Sequence, residues 1–251
     1  MSHAIYMAYS GLRSRAQALE ILTNNLANAR STAFKGEGTY FQVMERLERP
    51  QMDALEQAIN GPSVEARGRT NFRQGTPEKT GNPLDLAISG DGFFVVMSER
   101  GVRYTRNGAF QLKEDGQLVN AFGHAVLSDQ KGPGGEPRPV VVPPGEIHIS
   151  PNGQVSVDGI ASATLKVVSF GDPHKLLREG SSLFAAPDGV NEVPPARTEI
   201  LQGYLEGSNV DPLTSVTGMI QLMRSFEMLT QTIRSLTREV DQRVINEVGK
   251  V

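Results

Sequence analysis

Three aspartates, Asp85, Asp91 and Asp115, are the residues of this chain best placed to act as a carboxylate acid/base pair. Each sits beside a turn signal, Pro83-Leu84-Asp85, Gly90-Asp91-Gly92 and Asp115-Gly116, where a short carboxylate is expected for backbone reasons. No nucleophile–base arrangement accompanies them, so the residues argue for turns and against an enzyme. His3, His124, His148 and His174 are scattered without ligand spacing, which argues against a metal centre. Cysteine is absent, which removes disulfides, thiolate metal sites and cysteine nucleophiles. No helix pattern follows Gly90-Asp91-Gly92, so it is not a dinucleotide fingerprint. No cofactor and no small-molecule substrate are expected.

The bulk numbers narrow the partners. A net charge of −3 without clustered Lys and Arg gives no footprint for nucleic acid. No apolar run reaches the roughly 18 residues of a membrane span. Met1 to His3 lacks the basic start and apolar core of a secretory leader. Any route out of the cytoplasm is expected not to use a cleaved leader.

The strongest pattern lies in the two ends. Ile5, Leu12, Leu19 and Leu26 recur every seven residues, with Ala8 and Leu22 offset by three. Met219, Leu222, Phe226, Leu229, Ile233, Leu236 and Val240 alternate steps of three and four. Such stripes are seams of helices that pack lengthwise in coiled-coil fashion. The first helix is expected over residues 2 to about 30, with Ser10, Arg13, Ser14, Gln17, Glu20 and Asn24 on its polar face. The second is expected to start at Asp211-Pro212, a good N-cap followed by a residue suited to the first turn, and to run to about Val248. A lone helix of the first type is marginal in water, so the termini are expected to need each other and neighbouring subunits.

Between the ends the chain reads as β-structure. Leu84, Leu86 and Ile88 alternate with Asp85 and Ala87, and Phe93 to Met97 is fully apolar. Asn107-Gly108, Asp115-Gly116, Asn152-Gly153 and Asp158-Gly159 are hairpin signals. Thr164 to Phe170 reads as one further strand. Residues 31–80 are mixed: Glu37 to Phe41 has strand character, Met44 to Glu56 has the character of a short helix broken at Pro50, and Asn60 to Gly75 holds few apolar positions and reads as an irregular or extended connector. The expected fold is α+β: an N-terminal helix over 1–30, a connector over 31–80, an antiparallel β-domain over 81–205 and a C-terminal helix over 206–251.

Several motifs resemble one family. Asn24-Asn25-Leu26-Ala27-Asn28 with Phe34-Lys35 is similar to the N-terminal signature of flagellar axial proteins. Gly81-Asn82-Pro83-Leu84-Asp85-Leu86-Ala87-Ile88, Gly90-Asp91-Gly92-Phe93-Phe94, Tyr104-Thr105-Arg106-Asn107-Gly108 and Leu205-Glu206-Gly207-Ser208-Asn209-Val210 follow in the order of flagellar rod and hook proteins. Within the family, His3-Ala4-Ile5-Tyr6 and Arg224-Ser225-Phe226-Glu227-Met228 look most like the proximal-rod type, with the distal-rod type as alternative. The resemblance implies paired terminal helices in an inner tube and a β-domain outside it. It also implies self-assembly with other rod proteins, export by the flagellar type III apparatus and residence in the periplasmic rod of the basal body. Asn24, Asn25, Asn28, Phe34 and Lys35 then join the two seams as candidate assembly residues. The family's Thr-Pro-Gly before Phe-Lys is here Ser31-Thr32-Ala33, which predicts a less sharp end to the first helix.

From another class, the same pattern fits a secreted β-domain enzyme or carbohydrate binder with coiled-coil oligomerisation ends. That reading requires a polar pocket, which the sequence does not display.

Overall fold

The structure, a computed structural model, describes residues 2–44, 63–132, 135, 137–180 and 182–248. Side chains at 2–8, 43–44, 63–65, 131, 236–237 and 239–248 fall outside that description, and with them those of Ile5, Leu236 and Val240. The chain is α+β. It divides into two units: one holds residues 1–27, 37–70 and 211–251, the other residues 28–36 and 71–210.

The first unit pairs helix α1 (Ser2–Ala27) with helix α2 (Pro212–Val248) and a hairpin. Asp211 starts α2 by accepting the Leu213 amide at 3.0 Å and the Thr214 hydroxyl at 2.5 Å. That satisfies donors that the first helical turn leaves orphaned. The hairpin joins β1 (Glu37–Met44) to β2 (Ser63–Thr70) in antiparallel register from Glu37↔Thr70 to Met44↔Ser63. Glu37 to Phe41 lies in β1, as its strand character suggests, whereas β2 is a regular strand within the stretch expected to be irregular; the helical character over 45–56 falls outside the described residues. β2 hides its nature because Glu65, Arg67 and Arg69 alternate with Ala66 and Gly68 rather than with bulky apolar residues. Its Ala66 is buried and its amide donates to Gln17 Oε1 of α1 at 3.3 Å, so β1 and α1 supply what local propensity lacks.

The second unit is an antiparallel β-structure. Its strands are β3 (Pro77–Lys79), β4 (Leu86–Gly90), β5 (Phe93–Ser98), β6 (Gly101–Thr105), β7 (Phe110–Leu112), β8 (Leu118–Asn120) and β9 (Ala125–Lys131). There follow β10 (Pro137–Pro139), β11 (Ile147–Ile149), β12 (Gln154–Val157), β13 (Ile160–Thr164), β14 (Val167–Phe170), β15 (Leu177–Glu179) and β16 (Leu183–Ala185). β17 (Glu192–Val193), β18 (Thr198–Gln202) and β19 (Tyr204–Glu206) complete the set. The main sheet runs β15-β16-β6-β5-β9-β8-β7, with β10 on β9 and β14 bridging β5 to β17. β11-β12-β13 form a meander, β18 pairs β4, and β19 pairs β3.

β5 explains its unbroken apolar run. Phe94 and Val96 enter one apolar cluster with Leu86, Ile88, Phe110 and Leu118, while Phe93 and Val95 enter another with Tyr104, Phe170 and Phe184. Successive side chains point to opposite faces, and both faces of β5 are covered.

The turn signals resolve unequally. Asp115-Gly116, Asn152-Gly153 and Asp158-Gly159 do link paired strands, with Gly116, Gly153, Asp158 and Gly159 all at positive φ. Asn107-Gly108 does not: β6 and β7 are not partners, and β7 pairs β8 instead. Gly108 serves close packing, since a Cβ there would lie 1.9 Å from the Leu86 carbonyl oxygen. The expected single strand from Thr164 to Phe170 is split at Leu165-Lys166 into β13 and β14.

Helix α1 ends at Ala27, three residues short of the expected boundary. Asn28 turns the chain, accepting the Ser31 amide at 3.0 Å on its carbonyl and the Ser31 hydroxyl at 3.1 Å on its side chain. Ala33 then takes φ 54°, the left-handed region, at the position where the family pattern has glycine. The stop is therefore made without glycine, against a local cost of about 1–2 kcal/mol for an L-residue.

Two predictions follow from these ends. Ala33→Gly should stabilise the protein by up to about 1 kcal/mol, read as a higher urea midpoint, because relief of the left-handed strain outweighs added chain entropy. The hydrogen bond from Thr214 and then that from the Leu213 amide hold the Asp211 carboxyl below its ordinary value of 3.8. A depressed carboxylate stabilises above that ordinary value and loses its effect as pH falls through the folded value. Asp211→Ala should lower the thermal midpoint at neutral pH, and the difference from wild type should shrink below about pH 4.

Candidate assembly interface

The two helices run antiparallel. A Cβ on Gly11 would lie 3.7 Å from Leu229 Cδ2, and one on Gly218 would lie 3.3 Å from Leu22 Cδ1. Moving along α1 from Gly11 to Leu22 thus moves back along α2 from Leu229 to Gly218. Glycine at the crossing points lets leucines of the facing helix come close.

Among the described side chains of α1, Ser10, Ser14, Ala18 and Asn25 are buried, with Ser14 only 1% exposed, and the seam residues Leu12, Leu19, Leu22 and Leu26 are half-buried. Ser10 and Ser14, assigned by periodicity to the polar face, are therefore inside. Small side chains permit close approach, and the Ser14 hydroxyl donates to the Gly11 carbonyl at 3.0 Å, so its burial leaves no free donor. Asn25 is held by the hairpin: it accepts the Glu37 amide at 2.9 Å and donates to the Glu37 carbonyl at 2.8 Å. Arg15, on a seam position, bonds back to the Gly11 carbonyl at 3.1 Å.

On α2, Met219, Leu222, Leu229 and Ile233 are half-buried and Phe226 is 36% exposed. A second apolar stripe, Leu213, Val216, Ile220 and Met223, is exposed one position away. The helix hydroxyls are turned inward on their own backbone. Ser215, Thr217, Ser225, Thr230 and Thr232 each donate to the carbonyl four residues back, at 2.6–3.0 Å. Such a surface can be desolvated without stranding hydroxyl donors.

Phe34 and Lys35 lie inside the second unit. The Lys35 ammonium donates to Glu206 Oε1 at 2.5 Å and to the Arg73 carbonyl at 2.8 Å, and both charged side chains are 0% exposed. Glu206 Oε1 also accepts the Gly75 amide at 2.8 Å, while Oε2 faces Arg106 Nη1 at 3.6 Å. Arg106 donates to the Ile88 and Gly90 carbonyls and lies over the Phe93 ring. Burial pushes the Lys35 ammonium below the ordinary lysine value, and Glu206 pulls it part of the way back. Burial likewise lowers Arg106, against the attraction of Glu206. The Arg178 guanidinium covers the Phe34 ring at 4.6 Å and donates to the Lys35 carbonyl.

Phe-Lys, Thr-Arg-Asn-Gly and Glu-Gly-Ser-Asn-Val, three separate motifs of the sequence, thus meet at one buried charge cluster. Sequence reasoning singled out Lys35 but not its counter-ion. Glu206 and Arg106 carried no periodic signal, and only their place in motifs marked them. Phe34 and Lys35 make their contacts within the chain, as does Asn25. Asn24 is exposed and Asn28 half-buried, beside the turn that ends α1.

The residues that could have done chemistry hold turns. Asp85 accepts from Asn82 at 3.1 Å and Asp115 accepts the Gln117 amide at 3.0 Å. A cleft of about 500 Å³ in the second unit is lined by Asp129, Lys166, Glu192, Thr198 and neighbouring apolar residues. Its Lys166 and Glu192 are paired at 2.6 Å, and Glu192 also accepts the Tyr104 hydroxyl at 2.9 Å. Among the described residues, no group of three or more His, Cys, Asp or Glu could hold a metal, and no helix is long and apolar enough to cross a membrane.

Removing the counter-ion should cost more than removing one cation. Glu206→Gln leaves Lys35 and Arg106 buried without compensation and should cost about 3–5 kcal/mol. Lys35→Met keeps the apolar stem and leaves Arg106 facing Glu206, so its loss should be smaller, roughly 1–3 kcal/mol. Urea midpoints of the two variants check the order.

The motif order has its counterpart among known proteins. Residues 5–35 match the family described as flagella basal body rod protein, residues 87–157 the flagellar hook protein FlgE/F/G D1 domain, and residues 201–246 the flagellar basal body rod FlgEFG protein C-terminal. The flagellar basal-body rod protein FlgF of Caulobacter vibrioides is 31% identical over 258 residues, covering 100% of each chain. FlgF of Salmonella typhimurium is 30% identical over 94% of each chain. The rod protein FlgG of Agrobacterium fabrum is 30% identical over 92% of this chain and 94% of its own. A match along the full length, together with family segments at both ends of the chain and in its β-domain, leads to one conclusion: the chain belongs to the flagellar basal-body rod protein family and is an FlgF-like structural subunit.

Proposed function

We propose that this chain is a proximal-rod subunit that polymerises helically through its terminal helices and transmits torque along the rod. The observation that carries the reading is the apolar surface of α2. Leu213 is 76% exposed, Ile220 and Met223 are 46% exposed, and Val216 is 40% exposed, on a helix whose hydroxyls are already satisfied. A contiguous apolar stripe of this kind marks an interaction surface. A head-to-tail contact that does not close into a ring extends into a helical array.

In this reading the helices pair as a coiled coil. The seam consists of Ile5, Leu12, Leu19, Leu22, Leu26, Met219, Leu222, Phe226, Leu229, Ile233, Leu236 and Val240. Asn24 and Asn28 act at the helix end, while Asn25, Phe34 and Lys35 act indirectly by holding the segments that follow α1. The helical tier, residues 1–30 and 206–251, forms the inner tube. Residues 31–80 and the β-domain over 81–205 brace neighbouring subunits laterally. The partners are other copies of this chain and other rod proteins. The chain reaches the periplasm through the flagellar type III apparatus without a cleaved leader, inserts in no membrane and binds neither nucleic acid nor a small-molecule substrate. Similarity to FlgG, whose members also span nearly the whole chain, supports a distal-rod position as the second reading.

Ile220→Glu with Met223→Glu tests the assembly reading. Both residues are exposed, so the stability of the β-domain should stay within about 0.5 kcal/mol of wild type. Incorporation into isolated basal bodies and swimming should be lost. A double variant that still appears in rods at wild-type level would refute the proposal.

A further inference from the structure

The segment 28–36, which follows α1, belongs by its contacts to the second unit, and besides Asn71, Arg73 and Arg178 its partners come from the far end of the chain. Lys35 and Glu206 are 171 residues apart in sequence. The Ala33 amide donates to the Glu206 carbonyl at 2.7 Å, and the Asn209 amide donates to the Phe34 carbonyl at 3.2 Å. Asn209 then joins three stretches with one side chain. Its Oδ1 accepts the Gly36 amide at 2.8 Å, and its Nδ2 donates to the Asn71 and Arg73 carbonyls at 2.7 and 2.9 Å. Gly75 permits the approach, since a Cβ there would lie 2.0 Å from the Gly207 carbonyl oxygen.

We infer that the second unit is closed last by its own C-terminal end, with Glu206 and Asn209 as the residues that admit and fix the 28–36 segment. The physical reason is the Lys35 ammonium. Burying it without Glu206 would strand a charge in the interior, a cost that burial of Ala33 and Phe34 in the same segment does not offset. The segment therefore stays undocked until β19 has paired with β3 and brought Glu206 into place, Glu206 opposite Pro77. Several pairings elsewhere in the unit have no such dependence. β5 and β6 are joined by a two-residue turn, and β11, β12 and β13 form a local meander, so these pairings close short loops and form early. A chain that stops short of Glu206 keeps its first strap open. Completion of the unit thereby reports that nearly the whole chain is present. This inference stands on the unit's own contacts and not on the assembly reading.

Pulse-labelled amide exchange during refolding of the full-length protein tests it. In the wild type, the Ala33, Gly36, Gly75 and Asn209 amides should gain protection together, in a phase later than the amides of β5 and β6. In native Asn209→Ala, exchange at Gly36 and Ala33 should rise by about tenfold while β5 and β6 stay unchanged. Protection of Ala33 and Gly36 in the same early phase as β5 and β6 would overturn the inference. So would an Asn209→Ala protein whose Gly36 and Ala33 exchange matches wild type. The wild-type experiment needs no substitution, so the inference remains testable even if the variant folds poorly.

Discussion

A lysine with no exposure to water is the constraint around which much of the β unit is arranged. Lys35 can be buried only if an anion meets it, and Glu206 is that anion. Glu206 in turn faces Arg106, so one carboxylate answers two cations from different motifs. The backbone must come close enough for this to happen, which is why Gly75 and Gly207 pass each other where a side chain on Gly75 would collide. Arg178 over Phe34 and Asn209 on Gly36 then hold the flanks of the same short segment. A buried cluster of this kind is weak evidence for stability, because desolvation opposes the attraction. What it supplies is a specific docking: residues 28–36 meet Glu206 and Asn209 in this register, although Glu206 Oε2 and the Arg106 and Arg178 Nε atoms are buried without a hydrogen bond.

The helical unit follows a different rule. Gly11 and Gly218 lie where Leu229 and Leu22 of the facing helix approach, while α1 buries the small side chains Ser10, Ser14 and Ala18. The buried Ser14 is satisfied by its own helix. The described seam leucines are half-buried. The same economy of donors marks α2, whose serines and threonines bond back to carbonyls one turn earlier. On such a helix the described serines and threonines are already paired when an apolar partner covers the surface. That fits a chain whose family builds a rod.

Much of this was legible in the residues. The seven-residue spacing placed both terminal helices, and Asp211-Pro212 marked the start of α2. Asp115-Gly116, Asn152-Gly153 and Asp158-Gly159 marked real hairpins because their conformational need is local. Asn107-Gly108 misled for a non-local reason: its glycine answers to the backbone of Leu86, which no neighbouring residue reveals. Glu37 to Phe41 signalled β1, but its partner β2 escaped notice because it carries charges and small residues, and its strand character comes from its partners.

By itself the sequence determined which segments are helical, where most turns fall, and which motifs run in rod-family order. Those features depend on spacing and on local backbone chemistry. Only the tertiary structure decided which face of α1 is inside, because periodicity counts apolar residues and is blind to the close approach that serine and alanine allow. Only it decided that Phe34 and Lys35 are interior, because the residue that makes Lys35 tolerable there lies near the other end of the chain.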